Sequence, residues 1–409
     1  MSGRRDDRSR GSWRDDRAWQ AGIVIGSALG AAATVVGQRM ERRARAGLVD
    51  WAAVERIAVA RIAAAPGRLS AADLRATEPA YQAAMDRIVP ALSAALGTPL
   101  PGVVERSSVV DRAGWIAANT AAFASLIGRL EADLLDQVAP VGGGLAKATM
   151  ALANRWVTTR QLGILLGFMG QRVLGQYDLA LLSAESTPGR LLFVEENIRQ
   201  TATSLNLPLG PFRTWIALHE TTHAFEFEAH PWLRPYLALR LERQMSLFGS
   251  DIQGMGREAL RGLGRALRGE SDGGHWMERL MGEEQRRLFR ETQAVMSLLE
   301  GFSDYVMDEV GKDLVPDVER ISARFHERRN RRTTFERAML RLTGMDLKME
   351  QYKKGEAFVR AIAEARGRES LGRLWDGPES LPRDGEIEAP DRWMARVLDG
   401  AATVPAVAS

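Results

Sequence analysis

From Val49 onward, apolar positions recur at three- and four-residue steps. "DWAAVERIAVARIAAA" and "GWIAANTAAFASLIGRLEADLLDQV" each carry one apolar stripe at helical period. The breaks between such stretches have chemical causes. Pro66-Gly67 and "LGTPLPG" interrupt a helix, and Ser70 ahead of "AADLRATEPAYQAAMDRI" offers a hydroxyl to the unpaired amides of a first turn. Helices separated by short breaks are therefore expected from Val49 to about Gln137. The next long apolar stretch opens with Gly142 to Gly144 and is interrupted by Arg155, Arg160 and Arg172, too often for a bilayer span. The opening glycines fit neither a dinucleotide nor a Walker pattern. Gly163, Gly167 and Gly170 predict close helix packing. "GRLLFVEENI" holds the clearest strand, Leu191 to Val194, expected as an edge strand over the helix that follows. That helix enters at Gly210-Pro211 and runs towards Pro231. Helices resume in "WLRPYLALRLERQMSLFG" and in the long "EEQRRLFRETQAVMSLLEGFSDYVMDEVG". The pattern predicts a mainly α fold with a small β-sheet (α+β), as a single domain over residues 47–398.

The ends behave differently. Residues 1–20 mix Arg with Asp and hold little to bury, so a disordered tail is expected there, and another over 399–409. Between the first tail and the domain, residues 21–46 hold "AGIVIGSALGAAATVVG", closed by Arg39, Arg42, Arg43 and Arg45. This run has the minimum length for a bilayer span and a repeated small-residue face at Gly22, Gly26 and Gly30. It reads as a helix docked on the soluble domain or, through residues 21–37, associated with a membrane surface. A cytoplasmic location with or without that association is the expectation.

Composition then narrows the chemistry. With 55 basic and 52 acidic residues, the charges nearly cancel. Nucleic-acid binding gets no support, and the Arg-rich "ERISARFHERRNRRTTFERAMLRL" is read as a solvated helix face and turn. There is no Cys, which excludes disulfides, thiolate metal sites and Cys nucleophiles. A transition metal would have to rest on His, Asp and Glu.

Three of the five histidines fall in "TWIALHETTHAFEFEAHPWL". His219 and His223 lie four apart on the expected helix, so both imidazoles leave one face and can share an ion, with Glu220 beside them. This is the H-E-x-x-H arrangement, in which two imidazoles hold zinc and the adjacent carboxylate works as general base. The flanking Trp215, Ile216, Leu218, Phe225 and Phe227 make an unpartnered polar cluster costly to bury. Two residues compete for the third ligand position. His230 continues the same face, but at about 1.5 Å rise per residue it sits roughly 10 Å beyond His223 unless the chain turns back. The Gly at which three-histidine metalloproteases make that turn is missing. Glu300, in "VMSLLEGFSDYVMDEVG", is the other candidate. It and Asp304 are two carboxylates four apart on an otherwise apolar helix, and a zinc ion accepting Glu300 with Asp304 supporting a ligand imidazole satisfies both.

His219-Glu220-x-x-His223 with a downstream Glu300-Gly-Phe-Ser-Asp304 resembles the gluzincin branch of the zincin metallopeptidases, whose second helix carries a Glu ligand and, in the thermolysin type, an Asp four residues later. More closely, "LHETTHAFEFEAHPWLR", "VVDRAGWIAANTAAF", "GFMGQRVLGQYDLALL" and "LLEGFSDYVMDEVG" are similar to a largely actinobacterial family of zincin-like hydrolases, sometimes labelled as associated with deazaflavin-coenzyme biosynthesis. The resemblance spans roughly Val49 to Leu398. It implies a zincin-like metallopeptidase core, a zinc cofactor and a peptide or amide substrate. Thermolysin-like enzymes also use a His or Tyr to stabilise the oxyanion, and no motif here identifies one. Tyr305, Tyr236, His230, Arg234 and His326 are candidates, with Tyr305 first because it adjoins Asp304. The rival expectation is a non-catalytic scaffold in which the same zinc pins two helices together.

Overall fold

A computed structural model of the chain describes residues 47–100, 102–138, 144–177, 189–244, 247, 282–330, 345–383 and 385–400. The expected N-terminal tail, the apolar run 21–37, Gly142 and Gly143, and most of the expected C-terminal tail lie outside them. The helices anticipated in the first half form as α1 (Trp51–Ile62), α2 (Ala71–Leu96), α3 (Arg112–Val138) and α4 (Gly144–Gly170). Their starts follow the local chemistry. The Asp50 carboxylate accepts the Ala53 N–H at 3.0 Å, and Ser70 with Asp73 closes a reciprocal capping box. α1 lies against the second half of α4 because the glycines there have no side chain. A Cβ on Gly163 would sit 2.7 Å from the Ile57 Cβ, and one on Gly167 3.0 Å from the Ala58 carbonyl oxygen.

A three-stranded sheet follows the order β1 (Ser107–Val110), β3 (Leu191–Val194), β2 (Gly175–Tyr177). β3 pairs parallel with β1 from Ser107↔Leu191 to Val110↔Val194, and antiparallel with β2 from Gly175↔Phe193 to Tyr177↔Leu191. Leu191 to Val194 is therefore the central strand, correcting the edge position expected for it. All four residues are buried, as a continuous apolar run with both faces covered requires. Alternation along β3 divides the core. Leu192 and Val194 join Val54, Trp115, Ile116 and Leu166 on one side, while Leu191 and Phe193 join the larger cluster on the other.

That larger cluster is built from α2, α6 (Leu209–Glu228), α7 (Glu283–Leu314) and α9 (Met345–Arg366), with α5 (Glu195–Ser204) and α8 (Val318–Asn330) at its margin. α7 and α9 approach closely at a glycine pair, where a Cβ on Gly301 would lie 2.1 Å from the Gly355 carbonyl carbon. A 3-10 segment, Arg368–Trp375, follows α9. Among the described residues no helix is long and apolar enough to cross a membrane.

Candidate metal centre

α6 is buried over most of its circumference and presents His219 and His223 towards α7. Their rings lie 4.7 Å apart at 82°, and His219 Nε2 is 3.8 Å from Glu300 Oε2. One potential ligand atom from each of His219, His223 and Glu300 lies within 4.8 Å of the others, and among the described residues no other His, Asp or Glu trio meets that condition. Each side chain retains partial exposure, 22% for His219, 15% for His223 and 23% for Glu300, so the cluster is open to solvent. His230 does not join it. Its ring stacks on Trp375 at 5.0 Å and 9°.

The inward ring nitrogens are already engaged. His223 Nδ1 is 2.7 Å from Glu226 Oε2 and 3.2 Å from Ser303 Oγ, and Ser303 also donates to Glu226 Oε1 at 3.4 Å. His219 Nδ1 is 3.0 Å from Met307 Sδ. These contacts are made through Nδ1 of both rings. At His223 the supporting carboxylate is Glu226, three residues along the same helix. Asp304 is half-buried one turn beyond Glu300. The sequence reading missed Glu226, although a signal existed: an acid between Phe225 and Phe227, on the face of His223, is as costly to bury as the pair on α7.

Glu220 is held from the other side, by the sheet. The Tyr177 N–H donates to Glu220 Oε2 at 3.0 Å, and the carboxylate packs over Gly175, where a Cβ would fall 2.5 Å from Glu220 Cγ. β2 is in turn latched to the far end of α6, since the Tyr177 hydroxyl donates to Glu228 Oε1 at 2.9 Å and Glu228 pairs with Arg106 at 2.6 Å. Arg234 also meets the Tyr177 hydroxyl.

Burial raises the Glu220 carboxyl to about 7, with Glu300 adding to the rise and His223 opposing it. Glu226 is likewise raised to about 7 by burial, against the pull of His223. Burial by itself would disfavour the charged form of His223, yet the carboxylates around it, led by Glu226, outweigh that and lift it to about 10. The three carboxylates around the two imidazoles thus favour the protonated form of His223.

Tyr305 is five residues from Glu300, about 140° around α7, buried with the Arg360 guanidinium 5.9 Å from its ring. Tyr236 faces Trp232 and Arg240. The His326 side chain is outside the described set.

No curated protein matches the chain. A crystal structure described as a "putative hydrolase with a novel fold", from Chloroflexus aurantiacus, shares 34% identity and a TM-score of 0.63, covering 86% of this chain and 99% of that one. The model of the zincin-like metallopeptidase family matches residues 49–394, a span that contains α6, α7 and every residue of the centre. The chain belongs to the zincin-like metallopeptidase family.

Proposed function

We propose that the protein is a zinc-dependent hydrolase of a peptide or other amide bond, with His219, His223 and Glu300 as metal ligands and Glu220 as the proton-transferring residue. The observation that carries this reading is the convergence of two imidazole nitrogens and one carboxylate oxygen within 4.8 Å of one another, with a buried glutamate adjoining them. The donor set suits zinc, which takes nitrogen and oxygen ligands of this kind. Bound zinc supplies a Lewis acid that polarises a carbonyl and makes water more acidic.

The chain's own residues supply the rest. Tyr177 fixes one oxygen of Glu220 through its amide, leaving the other to accept a proton and return it to a leaving amine. A carboxyl raised to about 7 is suited to both directions of that transfer near neutral pH. Glu226 and Ser303 fix the ring of His223 and select the nitrogen it presents. Three protein donors in the cluster favour an open, reactive metal site over a closed structural one.

Metal analysis of purified wild type, Glu300→Ala and His230→Ala tests the ligand set. Zinc should be retained by wild type and His230→Ala and lost from Glu300→Ala; the reverse pattern overturns it. A peptide-library assay then compares wild type with Glu220→Gln, which should keep its zinc and lose turnover. Equal turnover would remove Glu220 from the mechanism.

A further inference from the structure

Beyond the metal centre, a cavity of about 830 Å³ opens between the C-terminal ends of α2 and α6 and one side of α7. Its α7 wall includes Phe302, Tyr305, Val306 and Glu309, which fall between about 140° and 240° around the helix from Glu300. It therefore lies on the other side of α7 from the one Glu300 faces, and meets the metal centre at Glu226, which lines the cavity and also bonds His223. The 3-10 segment Arg368–Trp375 roofs it and is pinned at both ends. Trp375 stacks on His230, meets Phe302 edge-on at 5.2 Å, and accepts the Trp232 indole N–H on its carbonyl at 3.0 Å. Arg368 pairs with Glu309.

The lining is chemically one-sided. Phe225, Phe302, Tyr305 and Trp375 supply aromatic surface, and Ala91, Ala94 and Ala95 leave the opposite wall without bulk. Glu309, Asp313 and Glu369 add carboxylates to the lining; Glu309 is paired with the lining cation Arg368 and with Lys312 at 3.1 Å, while Asp313 and Glu369 are exposed. Burial holds His230 neutral down to about pH 4, so it adds a further aromatic face and no positive charge. The volume lies within the range of small-molecule sites, roughly 300–1,000 Å³. Aromatic faces and carboxylates both favour a positively charged guest.

We propose that this cavity is a second ligand site, taking a hydrophobic organic cation whose apolar body lies among the aromatic side chains and whose ammonium group meets Asp313 and Glu369. The site is independent of whether the metal centre is catalytic. The test uses the full-length protein, titrated by calorimetry with decyltrimethylammonium, decyl glucoside and decyl sulfate below their micelle concentrations. The cation should bind at one saturable site, roughly tenfold or more tighter than the neutral compound, with the anion weakest. Asp313→Asn combined with Glu369→Gln should remove the preference for the cation, and Ala95→Trp should abolish binding by filling the space. All three positions are exposed, so the variants should fold, and unchanged zinc content and far-UV circular dichroism check this. Equal binding of the three head groups, or binding that survives Ala95→Trp, overturns the proposal.

Discussion

At the start of α5, Glu195 and Glu196 are as deeply buried as Glu220 and Glu226 on α6, yet the two clusters are balanced by different means. Glu195 meets the guanidinium groups of Arg199, at 2.6 Å, and Arg213, and accepts the Tyr81 hydroxyl at 2.8 Å. Glu196 lies 3.6 Å from Arg112, itself fully buried, and accepts the Leu69 amide at 2.8 Å. The chain thus supplies permanent cations for both. On α6 and α7 the partners of Glu220, Glu226 and Glu300 are imidazoles, a backbone amide and a serine hydroxyl. Burying acids against arginine makes a joint between elements. Burying them against imidazoles, whose charge depends on a proton, leaves a place that a metal ion can take.

The largest test of this difference is Arg112→Leu. Besides leaving Glu196 without its guanidinium, it removes bonds to Asn197 Oδ1, Gln200 Oε1 and the Pro66 carbonyl. Loss of about 3–5 kcal/mol of stability is expected, measured by urea denaturation and equal with and without zinc. A zinc-dependent loss would mean that the two clusters are coupled.

The complementary test is at the metal centre. In free zinc about a hundredfold above its dissociation constant, wild type should gain about 2.7 kcal/mol over the chelated protein. Glu300→Gln should gain little from zinc. In the absence of metal it should be at least as stable as wild type, because it removes one carboxylate from a cluster with a surplus of them. If Glu300→Gln instead destabilises the metal-free protein as Arg112→Leu does, the distinction between the two clusters fails.

The sequence made some of this legible and not the rest, for identifiable reasons. His219, Glu220 and His223 announce themselves by spacing on one helix, and Glu300 by the cost of an acid on an apolar face. The capping residue Ser70 and the close-packing glycines Gly163 and Gly167 follow from local rules. Leu191 to Val194 was recognisable as a strand, but its central position depends on β1 and β2, short segments with weak patterns that pair only through the tertiary fold. Gly175 and the Tyr177 amide were beyond reach, since a backbone donor has no residue type to reveal it.

Replacing Glu226 sharpens the comparison within the centre itself. Glu226→Gln should keep a hydrogen bond to His223 while removing the charge, lowering zinc affinity roughly tenfold to a hundredfold, as read by competition with a chromophoric chelator. The pH dependence follows from the same contact. His223 in the metal-free protein is lifted to about 10 by its carboxylates, and a metal takes only the neutral ring, so zinc must displace a proton at any pH below that. Affinity should therefore rise with pH across the neutral range, with a proton released on binding, and Glu226→Gln should flatten the rise. Calorimetry in buffers of different ionisation enthalpy counts the proton.

The smallest effect concerns His230, the histidine of the motif region that the metal cluster leaves aside. Burial beside Trp375 lowers it to about 4, with Asp376 opposing. Between the ordinary histidine value of about 6.5 and 4, the unfolded chain binds a proton that the folded one refuses. The contribution of this group to stability is complete above about 6.5 and falls as the pH drops towards 4. Partial exposure reduces the effect to on the order of 1 kcal/mol. Denaturation of wild type and His230→Gln at a series of pH values isolates it, because every other titrating group is common to both. Wild type should lose more stability than the variant between pH 6.5 and 4. Parallel curves would show that the folded protein accepts the proton, and the cavity wall would then carry a positive charge that an organic cation should avoid.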